Sequence, residues 1–127
     1  MKLEVGMYVR TKWGYICELI NINDFREPSM RYGVEASYLK DVMFIGDEDI
    51  LKASHNIIDL IEVGDIIKFE YDGTEYVCDV YAYKGDEEDL AVACENISIH
   101  IKENNSRFEL ISIVTKEQFE SMEYKVL

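Results

Sequence analysis

Apolar and polar residues alternate along much of this chain, which is the pattern of half-buried β-strands. The alternation is clearest in the second half, where Asp72-Gly73 is the dipeptide typical of a two-residue type I′ hairpin turn. A loop of that length pairs Phe69 with Tyr76 and Glu70 with Glu75 across the hairpin. The aromatic pair then lies on the core face and the acidic pair on the outer face.

Shorter runs of the same kind predict further strands at 31–36, 41–45, 89–94 and 97–101. Thr115 is followed three residues later by Gln118, which is the spacing of a capping box and predicts a short helix over 116–122. The residues 123–126 favour a last strand. The pattern therefore predicts a mainly β protein of the α+β type, with one short C-terminal helix.

Three blocks of sequence occur twice in the same order, with 5–10 matching 63–68, 15–19 matching 76–80, and 52–61 matching 102–111. The second match places Cys17 and Cys78 at equivalent, core-facing positions of a return strand. An apolar residue, a glycine and an alternating strand open each copy, and the five-strand pattern that follows suggests an SH3-like small β-barrel. We therefore predict two related modules, 1–61 and 62–127, arranged as two barrels or as one merged sheet.

The cysteines and histidines favour neither a disulfide framework nor a metal site. The chain has three cysteines, an odd number, and no C-x-x-C motif, which is typical of a reducing compartment. Cys78, Cys94 and His100 could share a metal ion, but their spacing is not a known ligand signature, and His55 lies far from them. We expect no metal and no cofactor.

The charged residues are distributed unequally between the two halves of the chain. The 127 residues carry a net charge of −13, which the halves share unequally: about −2 for 1–58 and about −11 for 59–127. No apolar run approaches the roughly 18 residues of a membrane span, and the N-terminus lacks the apolar core of a secretion signal. These features predict one or two small domains in the cytoplasm.

Carboxylates crowd one hairpin and one loop of the second module. We expect the following eight to form a partner-binding face: Glu70, Asp72, Glu75, Asp79, Asp86, Glu87, Glu88 and Asp89. Like charges directly opposite each other on paired strands are destabilising, so packing does not require Glu70 opposite Glu75. A basic partner is one interpretation and simple solubility is the other. Direct binding to nucleic acid or to an acidic membrane is disfavoured, because the chain has no basic stripe.

Catalytic motifs are missing from the sequence: it has no phosphate-binding loop, no nucleophile elbow and no G-x-G-x-x-G. We therefore expect a protein that is not an enzyme. Trp13 at the first turn, with Arg10 and Lys12 beside it, could stack on the base of a small ligand. Covering the end of a barrel is the alternative role for this tryptophan.

Three stretches of the chain, 6–12, 50–65 and 111–126, resemble small uncharacterised phage and prophage proteins of Gram-positive bacteria. Together they cover about a third of the sequence. The group has no assigned chemistry, so no catalytic residues carry over. The resemblance implies an accessory phage protein, of the kind that blocks host defence, such as the small acidic anti-CRISPR proteins, some of which act as DNA mimics.

Our first functional hypothesis is a non-enzymatic inhibitor that binds the basic surface of a host nucleic-acid-handling defence complex through the acidic second module. The alternatives are a small-ligand binder that sequesters a nucleotide immune signal, using Trp13, Arg10 and Lys12, and a structural protein of the virion. The sequence does not determine the oligomeric state.

Overall fold

The computed structural model describes residues 2–36, 41–103 and 107–122. The chain divides into two compact units, Met1–Leu60 and Ile61–Leu127, which we call the first and second units. Their boundary falls one residue from the one that the repeat predicted.

The first unit is a five-stranded antiparallel sheet with the strand order β4-β3-β2-β1-β5. Its strands are β1 (Tyr8–Thr11), β2 (Ile16–Ile22), β3 (Tyr32–Glu35), β4 (Met43–Ile45) and β5 (Ile50–Ser54). Short 3₁₀ helices lie at Pro28–Met30, Asp47–Asp49 and Ile57–Leu60. Alternate residues of the strands bury a core that includes Val9, Cys17, Leu19, Val34 and Ile45.

The second unit is a separate five-stranded antiparallel sheet with the order β10-β6-β7-β8-β9. Its strands are β6 (Ile66–Tyr71), β7 (Thr74–Ala82), β8 (Leu90–Cys94), β9 (Ile97–His100) and β10 (Phe108–Val114). A 3₁₀ turn at Tyr83–Gly85 follows β7, and the helix α1 (Lys116–Met122) follows β10. The mainly β class with one short C-terminal helix is confirmed, and the two sheets are not merged into one.

The two units pair their strands in the same order and register. Val9 lies opposite Cys17 on β1 and β2, and Ile67 lies opposite Cys78 on β6 and β7. The opening turn also occurs twice: the Gly6 amide donates to the Leu19 carbonyl at 2.8 Å, and the equivalent Gly64 amide donates to Val80 at 3.0 Å. These two glycines have φ of +97° and +93°, a left-handed conformation that favours glycine. The structure therefore repeats at the first two blocks that the sequence matched.

The third match, 52–61 with 102–111, is wrong. Ser54 pairs with Tyr8 on the closing strand of the first unit, and Val114 pairs with the equivalent Ile66 in the second. The closing strands are thus related by an offset of 60 residues, whereas the sequence match implied 50. Each pairing skips one residue, Leu51 or Ile111. Because that bulge interrupts the alternation, the sequence pattern revealed neither closing strand.

The local predictions for the second unit are confirmed. Phe69 pairs with Tyr76 and Glu70 with Glu75 across the hairpin, whose two turn residues both have positive φ as a type I′ turn requires. The capping box at the start of α1 is formed in both directions, with Thr115 N donating to Gln118 Oε1 and Gln118 N donating to Thr115 Oγ1. The predicted strand at 123–126 lies outside the described residues.

One fully buried carboxylate joins the beginning of the second unit to its helix. Asp65 Oδ2 accepts a hydrogen bond from the Glu62 amide at 2.8 Å, and Oδ1 accepts one from the Lys116 amide at 3.0 Å. The Lys116 ammonium in turn lies 3.1 Å from Glu62 Oε1. Asp65 therefore fixes the opening turn and the first residue of α1 relative to each other.

Candidate acidic interface

The outer face of the second unit carries a row of three carboxylates on three adjacent strands. Glu70 on β6 lies opposite Glu75 on β7 and opposite Glu109 on β10. All three side chains are exposed. Directly opposed positions on antiparallel strands are about 5 Å apart, so the pairing register holds three like charges within reach of a single partner surface.

Glu109 was not among the predicted site residues. Its place in the row depends on β10, which the sequence pattern did not reveal. The sequence match that covers this segment, 52–61 with 102–111, does not reveal it, because that match is displaced by ten residues from the structural equivalence of the closing strands.

The next rows along the same face are less acidic. Lys68 lies between Val77 and Ser112, and its ammonium is 3.1 Å from Glu75 Oε1. Asp79 lies one row further, opposite Ile66, and is exposed. Within the described ranges, no lysine or arginine forms an ion pair with Glu70, Glu109 or Asp79. The face therefore keeps most of its negative charge unneutralised.

Asp72, at the tip of the hairpin, is held in an ion pair. Arg107 Nε donates to Asp72 Oδ1 at 2.9 Å and Nη2 donates to Oδ2, while the guanidinium lies over the Tyr71 ring at 4.9 Å. The hydrogen bond from Arg107 holds the pKa of Asp72 below its usual range. A shallow concavity of about 290 Å³ beside this pair is lined by Glu70, Asp72, Gly73, Arg107, Phe108 and Glu109. Asp72 thus contributes less free negative charge than the sequence suggested.

The predicted acidic loop lies at the end of β7, after the 3₁₀ turn. Asp86 Oδ1 accepts a hydrogen bond from the Glu88 amide at 2.9 Å, which closes a tight turn. Asp86, Glu87 and Glu88 are exposed, whereas Asp89 is half-buried. The structure therefore leaves three of the four predicted loop carboxylates open to solvent.

Asp89 forms a hydrogen-bonded pair with the histidine His100. Asp89 Oδ1 and His100 Nδ1 are 2.8 Å apart, and the His100 ring meets the edge of Tyr83 at 4.4 Å between centroids. The hydrogen bond to Asp89 raises the pKa of His100 above its ordinary value. This pair contributes stability in full below the pKa of an unfolded histidine, about 6.5, and loses it as the pH rises through the higher pKa of the folded state.

We expect Asp89→Asn to lower the pKa of His100 towards the value of an unpaired histidine, because the amide no longer stabilises the imidazolium. NMR titration of the His100 ring protons measures this change. Asp86→Asn, which removes a neighbouring carboxylate that hydrogen-bonds a backbone amide, should leave the His100 titration nearly unchanged. An equal shift in both variants would mean that the general negative charge of the loop, and not the Asp89 contact, sets the pKa.

The predicted ligand-stacking group is only partly assembled. Trp13 is 46% exposed, and the Lys12 ammonium lies over its ring at 4.9 Å while also pairing with Asp49 Oδ1 at 2.9 Å. Arg10 does not join them and the prediction for it is wrong: its side chain is fully buried, and Nη1 donates to the Leu60 carbonyl at 3.0 Å. Leu60 belongs to the 3₁₀ helix Ile57–Leu60, which packs against β1.

A concavity of about 510 Å³ in the first unit is also acidic. It is lined by Glu27, Pro28, Ser29, Gly46, Asp47, Glu48 and Asp49. Four carboxylates repel the phosphates of a nucleotide, and Trp13 does not line this concavity. The first unit therefore gives little support to the nucleotide-binding alternative.

Burial separates the three cysteines. Cys17 and Cys94 are buried, as a core-facing position predicts for Cys17. Cys78 is only half-buried, although the sequence predicts the same core-facing position for it as for Cys17, and its Sγ lies 3.7 Å from Cys94 Sγ. His100 lies on the opposite face of the β8–β9 pair from Cys94. Among the described residues, no group of three or more histidines, cysteines and carboxylates is placed to hold a metal ion.

Comparisons with protein-family models, with curated proteins and with solved structures found no match to this chain. Within the described ranges, no helix has the length and apolar character needed to cross a bilayer.

Proposed function

We propose that this protein is a phage-encoded, non-enzymatic inhibitor that docks on the basic surface of a bacterial nucleic-acid-handling protein. The observation that carries the proposal is the row of Glu109, Glu70 and Glu75, three exposed carboxylates set opposite one another by strand register. Such a row destabilises the free sheet, and its cost is offset when a cationic surface covers it. The resemblance of 6–12, 50–65 and 111–126 to small phage proteins supports the biological setting.

The acidic loop adds further negative charge that supports the same proposal. Asp86, Glu87 and Glu88 add three exposed charges in the second unit, which holds nearly all of the net charge of the chain. A protein that binds duplex DNA has a surface suited to one negative charge per about 1.7 Å of helix axis. Closely spaced carboxylates on a rigid sheet present a comparable field and steer such a protein towards this face.

We also propose that each unit is a small SH3-like barrel. Two features support it: the first strand of each unit pairs with both the second and the fifth, and the strands between them form a meander. In the first unit a 3₁₀ helix, Asp47–Asp49, comes directly before the fifth strand. On this scaffold the acidic row lies on the outer face of strands β10, β6 and β7.

We expect the triple variant Glu70→Gln, Glu75→Gln, Glu109→Gln to associate with its partner roughly tenfold more slowly, because electrostatic steering sets the association rate. The partner is first captured from a lysate of Gram-positive bacteria at low salt and identified, and association is then measured with the purified protein. Binding of the unmodified chain should weaken steeply as salt is added, and duplex DNA should compete with it for the partner.

The first unit offers a control with the same change in charge. The triple variant Glu18→Gln, Glu35→Gln, Glu48→Gln neutralises three exposed carboxylates outside the proposed face. It should associate with the partner at nearly the rate of the unmodified chain. Equal slowing by both triple variants, insensitivity to salt, or a partner that duplex DNA does not displace would each contradict the proposal.

A further inference from the structure

Two thiols meet on neighbouring strands of the second unit. Cys78 on β7 and Cys94 on β8 have their sulfur atoms 3.7 Å apart, which is van der Waals contact. Val80 pairs with Val92 on the same strands, and continuing that register by two residues places the two cysteines directly opposite each other. Opposed residues of antiparallel strands have Cα atoms about 4.5–5.5 Å apart, within the range that a disulfide spans.

The equivalent positions of the first unit do not hold two cysteines, so the fold itself does not require the pair. The first two strands of the units are equivalent, so Cys17 corresponds to Cys78. The third strand pairs equivalently at Leu19 with Val34 and at Val80 with Val92, although the register shifts after Leu19 in the first unit and not after Val80 in the second. Two residues further along, Ala36 therefore corresponds to Cys94, and both are buried. The same fold accommodates cysteine with alanine in one unit and two cysteines in the other.

We propose that Cys78 and Cys94 are a redox modification site, forming a reversible intramolecular disulfide when the protein meets a peroxide. The proposal is independent of the function proposed above, because it concerns only the two thiols and the oxidant.

The reaction proceeds in two balanced steps. The Cys78 thiolate attacks one oxygen of hydrogen peroxide; the O–O bond breaks, a sulfenic acid forms, and the departing hydroxide takes a proton to become water. The Cys94 sulfur then attacks the Cys78 sulfur; the S–S bond forms, the S–O bond breaks, and the hydroxide leaves as water with the Cys94 proton. Overall, two thiols and one peroxide give one disulfide and two waters.

Exposure assigns the order of the two thiols. Cys78 is half-buried and meets the oxidant first, whereas Cys94 is buried. Burial, together with the neighbouring Cys78, raises the pKa of Cys94 to about 12, so Cys94 holds very little thiolate with which to react directly. Burial raises the pKa of Cys17 to about 11, and Cys17 is equally protected. Cys78 is thus the reacting thiol and Cys94 the resolving one.

The test is to treat the folded protein with hydrogen peroxide, block the remaining thiols, and map the tryptic peptides. Trypsin places Cys78 in the peptide 69–84 and Cys94 in the peptide 85–102. We expect these two peptides to be joined, the number of free thiols to fall from three to one, and dithiothreitol to restore all three. The joined product should form within single chains, at a rate that does not depend on protein concentration.

Two variants serve as controls. Cys94→Ala copies the residue that the first unit has at the equivalent position, so it should fold, and peroxide should leave Cys78 as a sulfenic or higher acid with no joined peptides. Cys17→Ala should give the joined peptides at the unmodified rate. Unreacted thiols after peroxide treatment, links between two chains, or over-oxidation of Cys78 in the presence of Cys94 would each overturn the proposal.

Discussion

We expect Arg10→Ala to lower the free energy of unfolding by about 3 kcal/mol, because it removes a fully buried side chain and leaves a buried carbonyl without its donor. The carbonyl is that of Leu60, at the end of the 3₁₀ helix that packs against β1. Urea denaturation followed by circular dichroism measures the loss. Arg10→Met keeps most of the buried volume but not the donor, and it should lose only about 1–2 kcal/mol.

The repeat supplies the matched control for this prediction. Lys68 occupies the position equivalent to Arg10 on the first strand of the second unit, but it is half-exposed and pairs with Glu75. Lys68→Ala should change the free energy of unfolding by less than about 1 kcal/mol. Equal losses in the two alanine variants would mean that the buried contact with Leu60 does not stabilise the first unit.

The second large effect is expected at Asp65. Asp65→Ala removes a buried carboxylate that accepts hydrogen bonds from the Glu62 and Lys116 amides, and it leaves both donors without that acceptor. Hydrogen bonds to charged groups contribute about 1.5–3 kcal/mol each, so we expect a loss of about 3 kcal/mol in the free energy of unfolding. The same denaturation experiment measures it.

Asp86→Ala is the corresponding control in the same unit. Asp86 also accepts a hydrogen bond from a backbone amide, that of Glu88, but it is exposed and water can replace it. Its loss should lower the free energy of unfolding by less than about 1 kcal/mol. A small effect at Asp65, comparable to that at Asp86, would mean that the carboxylate does not hold α1 to the opening turn.

The features that the sequence predicts correctly are those formed by residues close together in the chain. The hairpin follows from two turn residues with positive φ between alternating strands, and the helix start follows from Thr115 and Gln118 three residues apart. Each of these features is decided by neighbours within a few positions of the chain, so the residue pattern contains enough information to place it.

The errors arise where distant segments meet. Arg10 hydrogen-bonds to a 3₁₀ helix that follows it by about fifty residues, and the sequence around Arg10 gives no sign of that contact. The position of Glu109 depends on β10, whose alternation is broken by a bulge at Ile111. The contact of Cys78 with Cys94 joins two strands separated by an acidic loop. The alternation of apolar and polar residues shows which face of a strand a side chain lies on, but it does not show which other segment of the chain packs against that face.

The first and fifth strands of each unit are paired neighbours: Tyr8 lies opposite Ser54, and Ile66 lies opposite Val114. The units follow each other directly in the chain, at Leu60 and Ile61. A segment whose ends are neighbours can be copied head to tail in a gene without a designed linker and without disturbing the sheet. Tandem duplication of one such segment is therefore a simple route to two units that share a strand order and differ in charge.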